Sequence, residues 1–86
     1  MSDLNAVVLD LEMTGLNVRT EKIIEVGAAR IRNGRVTETY SKLINPGRKL
    51  SEKTIGITGI TDEMLEGCVK FAQIKEEFFQ FVANIF

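Results

Sequence analysis

From about Asn5 to Leu11 the chain reads Asn-Ala-Val-Val-Leu-Asp-Leu, a near-continuous apolar run that ends among acids. A run of this kind, without alternation, is the pattern of a strand covered on both faces. Asp10 and Glu12 stand two residues apart at its end. On a strand, side chains at i and i+2 leave the same face, so both carboxylates point one way while Leu9 and Leu11 pack on the other. Two like charges held that close repel, and a hard divalent cation bound by carboxylate oxygens is the simplest cure. The chain is thereby committed to a sheet whose covered strand delivers charge to one end.

Around that strand the remaining pattern is regular. A polar loop, Asn17 to Glu21, follows it. Lys22 to Arg32 and Arg35 to Ile44 read as two strands joined at Asn33-Gly34, a strong hairpin signal. Alternation is clearest over Val36 to Ser41, as for a strand near an edge, and Asn45-Pro46-Gly47 closes the meander. Ser51 to Ile55 suits a short helical turn capped by Ser51, and Thr61-Asp62-Glu63-Met64 is a good helix start. Phe71 to Phe86 is the clearest helix. Phe71, Ile74, Phe78, Phe81 and Ile85 form one apolar stripe, and Phe79, Val82 and Phe86 widen it so that the helix calls for burial on two sides.

Eighty-six residues make a single domain, 44% hydrophobic and 27% charged, in the range of globular chains. A net charge of −1 supplies no bulk basic field, which argues against a nucleic-acid coat protein but not against an enzyme that meets phosphates through metal ions. The single Cys68 excludes an internal disulfide framework and reads as a small buried residue in a reducing compartment. The apolar stretches are too short for a membrane span, so the cytoplasm is the expected location. Histidine is absent.

Two features suggest a unit that continues beyond Phe86. The first strand has only the two hairpin strands to pair with, which leaves one of its edges bare. The last helix ends on an apolar residue with no Gly or Lys stop signal. A helix crossing over to a further parallel strand is the simplest completion.

The residues also carry a family resemblance. Asp10-Leu11-Glu12-Met13-Thr14-Gly15-Leu16 resembles the first motif of the DEDD 3′–5′ exonucleases. Lys22-Ile23-Ile24-Glu25-Val26-Gly27-Ala28, Ile44-Asn45-Pro46 and Ile57 to Leu65 follow in the family's order. The series is similar to the proofreading (epsilon) subunit of bacterial DNA polymerase III and to the exonuclease region of polC-type polymerases. The Leu-Glu-Met-Thr-Gly-Leu wording is also similar to oligoribonuclease. The resemblance implies an α/β, ribonuclease H-like fold: a mixed sheet with the first strand at its centre, represented here by the first three strands plus helices and incomplete at the C-terminus. Residues 1–86 would be the N-terminal half of a single exonuclease domain.

By the same resemblance Asp10 and Glu12 match two metal-ligating catalytic carboxylates of a site for two Mg²⁺ or Mn²⁺ ions. Met13, Thr14, Gly15 and Leu16 match positions along the terminal nucleotide, Leu16 packing on its base. Thr58 stands where family members often carry a histidine facing the nucleotide; it can hydrogen-bond but cannot take a positive charge. Two later carboxylates and a histidine or tyrosine base belong to segments this chain lacks, so the 86 residues alone are expected to be inactive. The implied partners are a single-stranded or frayed DNA 3′ end and a DNA polymerase subunit. The alternatives are an RNA-directed exonuclease of the oligoribonuclease type and a non-catalytic binding or assembly module that covers its bare edge by self-association. Glu25 is either a structural hydrogen-bond acceptor near the site or an outward charge. Arg30, Arg32, Arg35, Arg48 and Lys49 form either a phosphate-tracking patch or ordinary surface charge.

Overall fold

The computed structural model describes residues 4–15, 17 and 21–84. Three strands, β1 (Ala6–Met13), β2 (Ile23–Arg32) and β3 (Arg35–Leu43), form one sheet in the order β1-β2-β3. Three helices follow: α1 (Glu52–Thr58), α2 (Asp62–Leu65) and α3 (Phe71–Ala83). Both strand pairings are antiparallel. The hairpin forms where the sequence signals it. Asn33 and Gly34 both take positive φ, 52° and 76°, the two-residue turn whose twist matches that of the strands it joins.

Two of these helices start on a hydroxyl cap and the third on a side chain that reaches back to its N-cap residue. Ser51 caps α1 by accepting the Thr54 N–H at 3.1 Å, and Thr61 caps α2 by accepting the Met64 N–H at 3.3 Å. At the head of α3 the Gln73 side chain accepts the Lys70 N–H at 2.8 Å. The helix keeps its apolar stripe inward. Ile74 and Phe78 are buried and close, with Val26, Ala28 and Ile44, one cluster of the core. A second cluster joins Ile24 to Leu50, Ile60 and Leu65, so the 50–65 segment covers the end of β2 that α3 does not. Tyr40 of β3 packs its ring against Phe78 and Phe81, each at 5.7 Å between centroids. Burying a side chain such as Phe78 or Ile74 contributes about 1.5–3 kcal/mol.

Two expectations change. The apolar run of β1 is not covered: Val8, Leu9 and Leu11 are 53%, 49% and 42% exposed. The reason is lateral placement. The helices lie over β2 and β3, and among the described residues β1 pairs with β2 on one side only. The second concerns the end of α3, where the sequence shows no stop signal. The signal comes instead from another strand. Arg30 of β2, 3% exposed, donates from Nε to the Asn84 oxygen at 2.8 Å and from one terminal nitrogen to the Phe81 oxygen at 2.6 Å. Its other terminal nitrogen pairs with Glu38, and the guanidinium lies 4.1 Å above the Phe81 ring. Arg30 is therefore neither surface charge nor part of a phosphate patch. It donates to carbonyls at the helix end, and Arg32 adds a longer bond to the Asn84 oxygen at 3.4 Å. Phe79, which the stripe places toward a second covered side, is 53% exposed, and Ile85 and Phe86 lie outside the described residues.

Candidate functional site

Asp10 and Glu12 lie on β1 as the spacing predicts, two apart and on one sheet face. The register decides what faces them across the strands. Asp10 is opposite Gly27, which offers no side chain, and Glu12 is opposite Glu25. Residues paired in this way share a face, so Glu25 joins the two acids rather than pointing away from them. Two carboxylates directly opposite one another disfavour the pairing unless a cation lies near. Asp10 is exposed, and Glu12 and Glu25 are half-buried.

These oxygen donors fit a hard divalent ion in kind, since magnesium keeps several water ligands and needs few carboxylates. They do not make a complete cage. Among the described residues no group of three or more His, Cys, Asp or Glu side chains comes close enough to hold a metal. Asp10 and Glu12 are the pair the strand supplies; Glu25 sits beside them as a charge.

The register shifts between Glu12 and Met13, Met13 makes a last pairing with Ile23, and the chain then turns. Thr14 fixes this turn with every polar group it has. Its N–H donates to the Lys22 oxygen at 2.8 Å, and its hydroxyl donates to Glu21 Oε1 at 2.6 Å while accepting the Lys22 N–H at 2.9 Å. Its carbonyl accepts the hydroxyl of buried Thr54, on α1, at 2.6 Å. That last bond draws α1 against the turn. The result is a cleft of about 460 Å³ with Glu12, Met13, Thr14 and Gly15 along one wall and α1, including Thr58, along the other. Leu11, Lys53 and the 73%-exposed Ile57 also line it, so the cleft is largely apolar with a cation at its rim.

Of the residues singled out in the sequence, Glu12, Met13, Thr14, Gly15 and Thr58 thus converge on one cleft, and Asp10 lies on the sheet face next to Glu12. Leu16 lies outside the described residues. The Thr58 hydroxyl is committed to the end of α1, donating to the Thr54 oxygen at 2.8 Å and accepting the Ile60 N–H at 3.1 Å. Thr54, Glu21 and Arg48 belong to the site's support and are not visible as such in the sequence. Arg48 faces Glu21 at 3.6 Å. A Ser-x-x-Thr helix start signals a cap, and nothing in it announces a bond to a turn 40 residues earlier.

Comparison with known proteins gives the family. The RNase_T family, described as exonuclease, matches residues 7–85. The chain is similar to the PolC-type DNA polymerase III of Thermotoga petrophila, 44% identical over 78 residues, and to that of Staphylococcus epidermidis, 36% identical over 84 residues. These alignments take in 91% and 98% of the chain but 6% of each polymerase. In structure it is similar to a full-length 3′-exonuclease, with a TM-score of 0.76 and 20% identity, over 94% of this chain and 30% of that one. It is also similar to exonuclease X in complex with 5′-overhanging duplex DNA (TM-score 0.75, 22% identity, 85% of this chain and 42% of that one). The nuclease domain of 3′hExo, a DEDDh family member bound to rAMP, gives a TM-score of 0.76 at 21% identity, over 88% and 42% of the two chains. At these identities the structures establish a shared ribonuclease H-like fold.

Proposed function

The chain belongs to the RNase_T exonuclease family, and on that premise we propose that it carries the first half of a metal-dependent site for trimming DNA 3′ ends. Residues 1–86 are then the N-terminal half of one exonuclease domain, serving replication or repair beside a DNA polymerase in the cytoplasm. The observation that carries this reading is the position of Glu12, which belongs both to the acidic sheet face and to the cleft that Met13, Thr14, Gly15 and Thr58 enclose. A terminal nucleotide seated in that cleft has its phosphate side toward the carboxylates and its base side toward apolar Leu11 and Ile57. Base faces are sequence-blind, which suits a trimming enzyme.

Asp10 and Glu12 would hold Mg²⁺ or Mn²⁺, and the bound ions would supply Lewis-acid stabilisation of charge developing on the phosphate. The chain's own residues orient the end of the strand. Met13 to Gly15 present backbone to it, Lys53 offers a cation at the rim, and Thr58 holds the end of α1 in place through its two backbone bonds. With two carboxylates and no histidine, these residues bind and position without a general base of the usual kind, so binding is expected in the absence of turnover.

The test is retention of a labelled single strand by the purified chain with Mn²⁺. A free 3′-hydroxyl end should bind more tightly than the same strand closed by a 3′-phosphate, and Asp10→Asn should remove the difference. Equal retention of both strands, or binding indifferent to Mn²⁺, would overturn the reading. A parallel RNA strand separates the DNA-directed from the oligoribonuclease-like activity. Trimming by the 86-residue chain that disappears in Asp10→Ala would refute its inactivity.

A second reading has its own observation. Among the described residues the outer edge of β1 has no partner strand, and β1 carries exposed Val8, Leu9 and Leu11, the kind of surface on which a second copy adds a strand. A discrete dimer in sedimentation, disrupted by Leu9→Lys, would favour a non-catalytic assembly module. A monomer would leave the exonuclease reading alone.

A further inference from the structure

We infer that Glu21 is the positioning residue of the Met13–Gly15 turn, the side chain that holds the backbone wall of the cleft in the form that receives a nucleotide. The inference rests on the reading of the cleft given above. Glu21 sits in what the sequence shows only as a polar loop. Three contacts converge on it. Its Oε1 accepts the Thr14 hydroxyl at 2.6 Å, a short bond to an ionised acceptor of the stronger class. The same oxygen faces a guanidinium nitrogen of Arg48 at 3.6 Å. The rest of the side chain fills the space beside Gly15, where an added Cβ would lie 2.9 Å from Glu21 Cδ and 3.1 Å from Cγ.

One side chain therefore holds two consecutive residues of the turn, Thr14 by hydrogen bond and Gly15 by packing. Thr14 passes the constraint on, because its carbonyl receives the Thr54 hydroxyl and so couples the turn to α1, the opposite wall. The width of the cleft follows from this chain of contacts: Arg48 to Glu21, Glu21 to Thr14, Thr14 to Thr54. Asp10 and Glu12 have no part in it; they are placed by the β1–β2 ladder. The Thr14–Thr54 link between the two walls is thus fixed by contacts outside the ladder that places Asp10 and Glu12. Gly15 leaves room for this approach, since a side chain there would press on Glu21 and push it from its place.

The experiment uses the isotopically labelled 86-residue chain and three readouts: amide exchange, Mn²⁺-induced broadening, and binding of deoxythymidine 5′-monophosphate in the presence of Mg²⁺. Glu21→Ala should raise exchange at the Thr14 amide about tenfold and weaken nucleotide binding by a similar factor, while Val26 and Ala28 keep their protection. Glu21→Gln, which retains an acceptor and the bulk beside Gly15, should restore most of both. Thr14→Val should behave like Glu21→Ala, and Thr14→Ser like the wild type. Unchanged Thr14 exchange in Glu21→Ala, or an equal rise at Val26 and Ala28, would overturn the inference. Asp10→Asn tests the other reading separately: it should abolish Mn²⁺ broadening near β1 and leave Thr14 exchange alone. Broadening that persists in Asp10→Asn would refute the metal assignment and leave the positioning role of Glu21 standing.

Discussion

Arg30 on β2 donates its Nε proton to the main-chain oxygen of Asn84, 54 residues later, at 2.8 Å, and so closes the C-terminal end of α3 from within the sheet. The same guanidinium reaches the Phe81 oxygen and lies over the Phe81 ring. A buried cation is costly unless its donors are used, and here they are used on carbonyls that the helix itself leaves unsatisfied. Arg30→Met should therefore cost about 2–4 kcal/mol in urea unfolding, because it removes the buried donor to the Phe81 oxygen, leaves the Asn84 oxygen only the 3.4 Å bond from Arg32, and takes away the partner of Glu38. Arg30→Lys should recover only part of this, since an ammonium cannot span the two oxygens as a planar fork does. Glu38→Ala should cost less than about 1 kcal/mol, its side chain being 59% exposed. Equal losses in Arg30→Met and Glu38→Ala would show that the ion pair, not the helix end, is what Arg30 serves.

Tyr40 supplies a second check, one that is read optically. Its phenol is pushed up to about 12 by burial first, then by the hydrogen bond to Glu77 and the charge of that carboxylate. The fold thus favours the neutral phenol over an ordinary value near ~10. The stabilisation is fully present below about pH 10 and is lost as pH rises through the folded value. Tyr40 is the only tyrosine and the chain has no tryptophan, so the phenolate absorbance reports this one group. The native titration should have its midpoint well above that of the urea-unfolded chain. Glu77→Gln should move it down while leaving the circular dichroism unchanged. A native midpoint coincident with the unfolded one would contradict the half-buried, hydrogen-bonded placement.

The Arg30 contact also shows where the sequence stops being informative. Hairpin, caps and helix stripe are local patterns, and each forms where the residues indicate: Asn33-Gly34, Ser51, Thr61, and the line through Ile74 and Phe78. Asp10 and Glu12 are legible for the same reason, since sharing a face needs only the strand period. Glu25 stays ambiguous in sequence because its neighbour across the sheet depends on register, which no single strand states. Arg30 and Glu21 read as surface and loop because their roles depend on partners distant in sequence or on the path of a turn. The pattern of β1 overstates its covering, as apolar content records a demand for burial and not whether an element lies there to meet it.

Glycines separate backbone strain from helix propensity. Gly34 holds φ of 76° in the hairpin, so Gly34→Ala should cost about 1–2 kcal/mol. Gly56 sits inside α1 with nothing within 4 Å of an added Cβ and is exposed. Gly56→Ala should stabilise by about 0.5–1 kcal/mol, by restricting the unfolded chain and favouring the helix. Thermal melts of the two variants should shift in opposite directions. A loss of stability in Gly56→Ala would mean that α1 needs its glycine for something other than helix geometry.

The pairing of Glu12 with Glu25 links the sheet to the proposed chemistry. Like charges directly opposite weaken an antiparallel pair by a few tenths to about 1 kcal/mol, and an ion bound by Asp10 and Glu12 would offset that repulsion. Glu25→Gln should therefore raise the melting temperature in low salt without divalent ions, and the gain should shrink as salt screens the pair. In wild type, Mg²⁺ should raise the melting temperature in proportion to the logarithm of its concentration above the dissociation constant. Asp10→Asn and Glu12→Gln should each remove most of that response. Because removing Glu25 deletes a neighbouring charge and not a ligand, Glu25→Gln should keep the Mg²⁺ response but start from a more stable baseline. A Mg²⁺ response abolished by Glu25→Gln as fully as by Asp10→Asn would make Glu25 a ligand in its own right and the acidic face a three-carboxylate site.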